Sequence, residues 1–130
     1  MTDWHDAKHF FETDAVAHLS TLMHDGSPHS IPLWVGVDGD RLMIFTVTDT
    51  LKDRNIRRDP RVAISVTGAD NPYASAFVRG VAVERIDGEA ALPYVDRIST
   101  QYTGEPYDLR EGLAVWFIEP RKAWSKTYED

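Results

Sequence analysis

Arg41 to Val62 reads RLMIFTVTDTLKDRNIRRDPRV, and two changes of character within it decide the fold. Arg41 to Thr48 is rich in β-branched and aromatic side chains, the composition of a strand. Asp49 to Pro60, DTLKDRNIRRDP, then reads as one short helix. Thr50 stands at its N-cap, Asp53 three residues later resembles a capping box, and Pro60 stops it. Arg61 to Thr67 returns to a strand, with Val62, Ile64 and Val66 alternating. A single short helix is thus inserted between two strands of what is expected to be an antiparallel sheet.

Working outward supports this. Ala15 to His24 reads as a strand, Asp25-Gly26 as a turn, and Ser27 to Val37 as a second strand with Ile31, Leu33, Val35 and Val37 on one face. Asp38-Gly39 closes a further hairpin onto Arg41 to Thr48, so the first three strands read as a meander. Downstream, Ala74 to Ile86 forms a long strand ended by Asp87-Gly88. Glu89 to Tyr102 has Leu92, Val95, Ile98 and Tyr102 near helical spacing, with Pro93 in the first turn. Leu113 to Glu119 is the last strand, and Pro120 allows only an edge continuation toward Trp124. Asp3 to Thr13 reads as a short N-terminal helix. The expected fold is mainly β (α+β): six antiparallel strands with short helices in a small barrel, one domain over residues 1–130.

Composition narrows the function classes. The chain has 130 residues, 42% hydrophobic and 27% charged, with a formal net charge of −7. That is ordinary globular composition. The acidic balance argues against a nucleic-acid binder or a binder of anionic membranes. No apolar run reaches the roughly 20 residues of a membrane helix, the N-terminus lacks a signal-like hydrophobic region, and a cytoplasmic location is expected. Cysteine is absent, which removes disulfides, thiolate catalysis and Cys-ligated zinc together. There is no G-x-S-x-G, GxGxxG, phosphate-binding GKS/T loop or HExxH. Any hard chemistry would therefore belong to a bound cofactor.

The first candidate site is Thr46-x-Thr48-x-Thr50-x-Lys52-x-Arg54-Asn55. A strand running out in hydroxyls feeds a helix start, where free N–H groups and cations form a phosphate cradle. Lys52, Arg54, Arg57, Arg58 and Arg61 meet only Asp53 and Asp59 in this window, against the acidic trend of the chain. The plainer alternative is a capped helix with a solvated basic face. The second candidate is Ile31-Pro32-Leu33-Trp34. A proline in a strand marks an edge, and Trp34, on the face of Ser30 and Pro32, offers a flat wall for a planar heterocycle; core packing of Trp34 is the alternative. The late aromatics Tyr73, Phe77, Tyr102, Tyr107, Trp116, Phe117 and Trp124 suit either an interface or an ordinary core. His5 and His9 are spaced i, i+4 without a third ligand, and His24 and His29 flank a turn. No metal site is expected from them.

The order of these pieces resembles the pyridoxamine-phosphate-oxidase-like flavin and deazaflavin family, the FMN-binding split β-barrel. The resemblance runs from the D-G-x-P-H turn (Asp25 to His29) through K-x-x-N (Lys52, Asn55) and R-R-D-P-R-V (Arg57 to Val62) to Gly80-Val81-Ala82 and Tyr102-Thr103-Gly104. It implies a homodimer with a cofactor in a groove at the subunit interface. The cofactor phosphate is placed near Thr46, Thr50, Lys52 and Arg54, and the tricyclic ring against Ile31 to Trp34, its edge addressed by backbone amides. Partner aromatics, with Trp116 and Trp124 as candidates, would close the site, and Trp34 with the Asn71 to Phe77 loop would wall the substrate.

The short K-x-x-N-x-R-R-D-P-R-V chain looks most like the branch that uses the deazaflavin coenzyme F420. The anionic tail of that coenzyme would suit a face of Arg54, Arg57 and Arg58. The implied activity is hydride transfer from reduced F420 to an activated unsaturated small molecule. An FMN-dependent reductase or oxidase, or a non-catalytic binder of flavin, deazaflavin or haem, are the alternatives. The C-terminal arginine segment of vitamin B6 oxidases is missing, so that substrate is not expected. No catalytic residue is singled out.

Overall fold

A computed structural model describes residues 2–128. Its centre is a seven-stranded antiparallel sheet in the order β2-β1-β5-β6-β7-β4-β3. The strands are β1 (Ala17–Leu22), β2 (Pro28–Leu33), β3 (Gly36–Asp38), β4 (Arg41–Val47), β5 (Arg61–Thr67), β6 (Ala74–Asp87) and β7 (Leu113–Thr127). Helix α1 covers Thr2–Lys8, α2 Leu51–Arg58 and α3 Leu92–Thr103, with 3-10 turns at His9–Glu12 and Gly88–Ala91.

The described residues form seven strands because the expected single strand from Ser27 to Val37 is two. β2 pairs with β1 at one edge of the sheet, and β3 pairs with β4 at the other. Only Trp34 and Val35 separate them. Trp34 turns aside to stack on Tyr102, and the Val35 N–H donates to the Tyr102 hydroxyl (3.2 Å) instead of to a strand. The chain thereby leaves one ladder and enters the other. The expected meander is broken here, since β2 and β4 are not neighbours, and no ladder closes the barrel between edges β2 and β3. The one-sided pattern survives the break: Val35 is in the main core, with Ile31, Leu33 and Val37 packed against it.

That main core lies inside the curled sheet. It joins Leu19, Ile44, Ile64, Val78, Trp116 and Ile118 to Phe11 of the first 3-10 turn and Ile56 of α2. A second core lies on the other face of β4 and β7, under α3, and unites Met43, Val95, Ile98, Val115 and Phe117. The alternation along β4 and β7 follows from strand geometry, with successive side chains pointing to opposite faces. Each fully buried Leu, Ile or Phe contributes on the order of 1.5–3 kcal/mol, so both cores hold the sheet. α3 ends where Gly104 takes the left-handed conformation (φ 81°) and returns its N–H to Thr100 O. β7 has β4 beside it only as far as Ile118, so Pro120 lies where one side of the strand carries no ladder, next to a register shift in its pairing with β6.

Candidate functional site

Helix α2 is entered by a turn in which Asp49 adopts φ 65°, a left-handed conformation that Asp tolerates better than most residues. Thr50 occupies the N-cap with extended backbone, but its side chain does not cap the helix. Its Oγ1 lies 2.6 Å from Thr46 Oγ1, and Thr46 donates in turn to Val47 O (2.9 Å). The expected capping box is thus displaced by one residue, because the Asp53 carboxylate accepts from the Asp49 N–H (2.9 Å). The first-turn amides of Leu51, Lys52 and Asp53 are left without a side-chain cap, the arrangement that attracts an anion.

Lys52 sits at this point, partly buried, with no ion pair or hydrogen bond to another described residue. Burial pushes its ammonium pKa below the ordinary value, opposed by the Asp53 charge. An unpaired, partly desolvated ammonium gains most from a bound anion. Arg54 is exposed and also has no ion pair among the described residues. The other cations of this window are engaged. Arg57 lies 3.5 Å from Asp53 and 4.0 Å from Asp49, Arg58 donates to Leu22 O (2.6 Å) and Asn55 Oδ1 (2.8 Å), and Arg61 pairs with Asp59 (2.7 Å). Of the expected face of Arg54, Arg57 and Arg58, only Arg54 is without such partners.

The remaining candidates fall into different places. Thr46 is 3% exposed and stands behind Thr50. Thr48 is partly buried, and its N–H donates to Gly112 O (2.9 Å). Asn55 is buried, donating to Thr21 Oγ1 (3.0 Å) and to Met23 Sδ (3.5 Å), so it joins α2 to β1. Ile31 and Leu33 pack inward while Pro32 is exposed on edge strand β2, one side of which carries no ladder. Trp34 does not share the outer face of Ser30 and Pro32. It joins the α3-side cluster, stacked on Tyr102 (5.1 Å, 12°) and edge-on to Phe45 (6.3 Å) and Tyr107 (6.2 Å). Ile31 to Trp34 therefore do not form a single wall, although the Trp34–Phe45 contact brings the exit of β2 to within one residue of Thr46.

The late aromatics also divide. Trp116 is 8% exposed and donates its indole N–H to Asp53 Oδ1 (2.9 Å), so it is committed to the interior of this chain. Trp124 lies on the outer sheet face, stacked on Phe77 (5.1 Å) beside Arg79 and Lys122. A groove of about 280 Å³ runs there over His18, Ser20, Ala63 and Ser65. A second of about 490 Å³ continues it past Arg61, Gly80 and Arg121. Small side chains floor both. Among the described residues no three of His, Asp or Glu are grouped to hold a metal ion.

The pairing of Asp53, read from sequence as a cap, with Arg85 is what the sequence did not bring forward. Asp53 is fully buried, and Arg85 of β6 grips it through Nε (3.1 Å) and Nη2 (3.0 Å). Burial alone would raise the Asp53 pKa, but the bonds from Arg85, the Asp49 N–H and Trp116 outweigh it and hold the carboxyl below its ordinary value. Their separation along the chain left no local signal for the pair.

The family model described as Pyridoxamine 5'-phosphate oxidase matches residues 4–126. Among solved structures, an F420 reductase is 28% identical, with a TM-score of 0.79 over 89% of this chain and 94% of that one. An FAD-binding protein from Mesorhizobium loti has 20% identity and a TM-score of 0.71, covering 95% and 94%. An FAD and haem binding protein from Mycobacterium smegmatis has 20% identity and a TM-score of 0.75, covering 97% and 71%. The last two likenesses concern the fold. With a family model spanning nearly every described residue and the helix-inserted antiparallel sheet to match, the chain belongs to the pyridoxamine 5'-phosphate oxidase family.

Proposed function

We propose that this protein is an F420-dependent oxidoreductase that binds the phosphate of its cofactor at the start of α2. The observation that carries this reading is Lys52: a partly buried ammonium without a carboxylate partner among the described residues, beside uncapped helix amides, in a chain that belongs to this family. The donor set fits a phosphate. Lys52 supplies charge, the amides of Leu51 to Asp53 supply direction, and Thr48 and Thr50 stand at the rim. Thr46 holds the Thr50 hydroxyl from behind. Arg54 faces solvent one helical step from the cradle, where it suits the acidic tail of F420. Asn55 keeps α2 against β1 and so fixes the cradle floor. The unladdered side of β2, from Ile31 to Leu33, offers backbone groups to a ring edge, and Trp34 closes that end of the strand.

When bound and reduced, the deazaflavin supplies a hydride to an activated unsaturated small molecule. The protein's part is to hold both flat molecules in register, which by itself lowers the barrier substantially. The outer grooves along Ser20, Ala63 and Gly80, rimmed by cations and the Phe77–Trp124 stack, support a homodimer that would enclose the cofactor. A cytoplasmic location goes with this reading, and among the described residues no helix is long and apolar enough to cross a membrane.

The same cradle would accept FMN, and the engagement of Arg57 and Arg58 within the chain reduces the cations left for a long acidic tail. A side-by-side titration of the purified protein with F420 and FMN, read by tryptophan quenching, decides between them. Tighter F420 binding, followed by oxidation of reduced F420 with an activated alkene, supports the proposal. Tighter FMN binding makes the protein a flavin enzyme or carrier. Lys52→Ala should weaken the bound cofactor by about 1.5–3 kcal/mol, the scale of a charge-assisted hydrogen bond.

A further inference from the structure

Asp53 immediately follows the proposed phosphate lysine, yet its own side chain points the other way, into the protein. Oδ1 accepts from Trp116 Nε1 (2.9 Å) and Arg85 Nε (3.1 Å). Oδ2 accepts from Arg85 Nη2 (3.0 Å) and the Asp49 N–H (2.9 Å). Arg57 lies 3.5 Å from Oδ2, and Arg85 reaches on to Asp87 (2.9 Å). A buried carboxylate is costly unless its lone pairs are filled and its charge is matched, and here both conditions hold. Such a network is stiff, because moving any member strands another.

The elements it joins give the network its meaning. Arg85 belongs to β6 and Trp116 to β7, both deep in the sheet, whereas Asp49 and Asp53 bracket the turn into α2. The bond to the Asp49 N–H holds the one non-glycine residue with positive φ among those described. That turn carries Thr50 and Lys52. On its other side the Thr50 hydroxyl is tied to Thr46 of β4. We infer that Asp53 is the positioning residue of the α2 cradle: through Arg85 and Trp116 it fastens the helix start to β6 and β7, so that Lys52 and the first-turn amides meet the ligand's phosphate in one arrangement. This rests on the reading of the cradle given above.

A purely structural role would weaken all ligands alike, whereas a positioning role weakens the phosphate's share of binding. The test compares FMN with riboflavin, which differ in the phosphate alone, and F420 with its deazaflavin ribityl precursor, which lacks both the phosphate and the acidic tail; the first pair isolates the phosphate. Affinities are measured for wild type, Lys52→Ala, Asp53→Asn, Arg85→Lys and Trp116→Phe, with folding checked by circular dichroism. In wild type the phosphate-bearing member binds more tightly. Lys52→Ala reduces that preference roughly ten- to a hundredfold, the scale of one charge-assisted hydrogen bond. Asp53→Asn reduces it several-fold although the ammonium is retained, and Trp116→Phe does so to a smaller degree.

If Asp53→Asn fails to fold, Arg85→Lys and Trp116→Phe carry the comparison. Loss of preference in Lys52→Ala but not in the network variants overturns the positioning role and leaves the cradle standing. An unchanged preference in Lys52→Ala, or a wild-type chain that binds neither pair, overturns the cradle reading and this inference with it.

Discussion

Trp34 lies parallel to Tyr102, ring centroids 5.1 Å apart and planes 12° apart, and this stack marks the point where the chain crosses from one edge of the sheet to the other. Tyr102 does more than provide a surface. Its hydroxyl donates to Ala15 O (2.7 Å) and accepts the Val35 N–H (3.2 Å), so one phenol satisfies the amide at the break and the carbonyl of the segment leading into β1. Burial pushes its pKa above the ordinary value. Tyr102→Phe keeps the stack and leaves two backbone groups short of a partner, at a cost of about 1–2 kcal/mol. Urea denaturation measures it, and an unchanged midpoint would show that water replaces the hydroxyl without loss.

Asn55 is the side chain by which α2 holds β1. It donates to Thr21 and accepts from Arg58, and both Asn55 and Thr21 are buried. Asn55→Ala removes these bonds and strands the Thr21 hydroxyl, so stability should fall by about 1–3 kcal/mol. Hydrogen exchange should show the loss as faster opening of α2, with the α3 side of the sheet unaffected. If all elements open together, α2 is not a separate unit.

The sequence was informative wherever the signal was local. The alternating faces of β5, the proline that ends α2 and the Asp-Gly turns were all legible from adjacent residues. The break at Trp34 and Val35 was not, because the Ile31, Leu33, Val35, Val37 pattern continues across it and only the distant Tyr102 reveals it. The cradle was legible as a run of hydroxyls and cations around Lys52. Which cations remain unpaired was not, since Arg58 is engaged by Leu22 O, across the fold. Asp53 was read as a cap because its spacing from Thr50 permits one. The half-buried Arg85 and the buried Trp116 that claim it arrive from strands far along the chain.

Gly36 and Gly80 separate two kinds of crowding. A Cβ on Gly36 would come within 2.9 Å of the Ile98 and Met43 side chains, both of which can shift. A Cβ on Gly80 would come within 2.7 Å of the Glu119 carbonyl oxygen, which is backbone of the adjacent strand. Gly80→Ala should therefore be the more damaging, at the upper end of the roughly 1–3 kcal/mol typical of overpacking, with Gly36→Ala nearer the lower end. Thermal melts of the two variants check the order, and the reverse order would mean that the β6–β7 ladder yields at its register shift.

Lys52 gives the cradle a pH dependence. Its folded-state pKa is lowered by burial, so its ammonium loses its proton at a lower pH than an exposed lysine does. Anion binding requires the charged form. Affinity for a phosphate-bearing cofactor should hold through neutral pH and fall as the pH rises toward the ordinary lysine range, beginning before it. Lys52→Arg should remove that alkaline decline, because guanidinium stays charged. A decline of the same size in both proteins would assign the effect to another group.

Asp53 gives the fold a dependence of the opposite kind. Its carboxyl is held below the ordinary value in the folded protein, so the folded state binds the proton less readily than the unfolded chain does. The stabilisation is therefore complete above the unfolded pKa and is lost as the pH falls from about 5 through the folded pKa. Asp53→Asn has no such proton to lose. Its stability should be lower than wild type at neutral pH, and the gap should narrow below about pH 4 as the wild-type carboxylate is protonated. Denaturation midpoints for the two proteins between pH 3 and 7 measure the gap directly. A gap that stays constant across that range would mean that Asp53 binds its proton equally well in the folded and unfolded chain, and that other carboxylates, such as Asp59, held down to about 2 by Arg61, govern the acid limit.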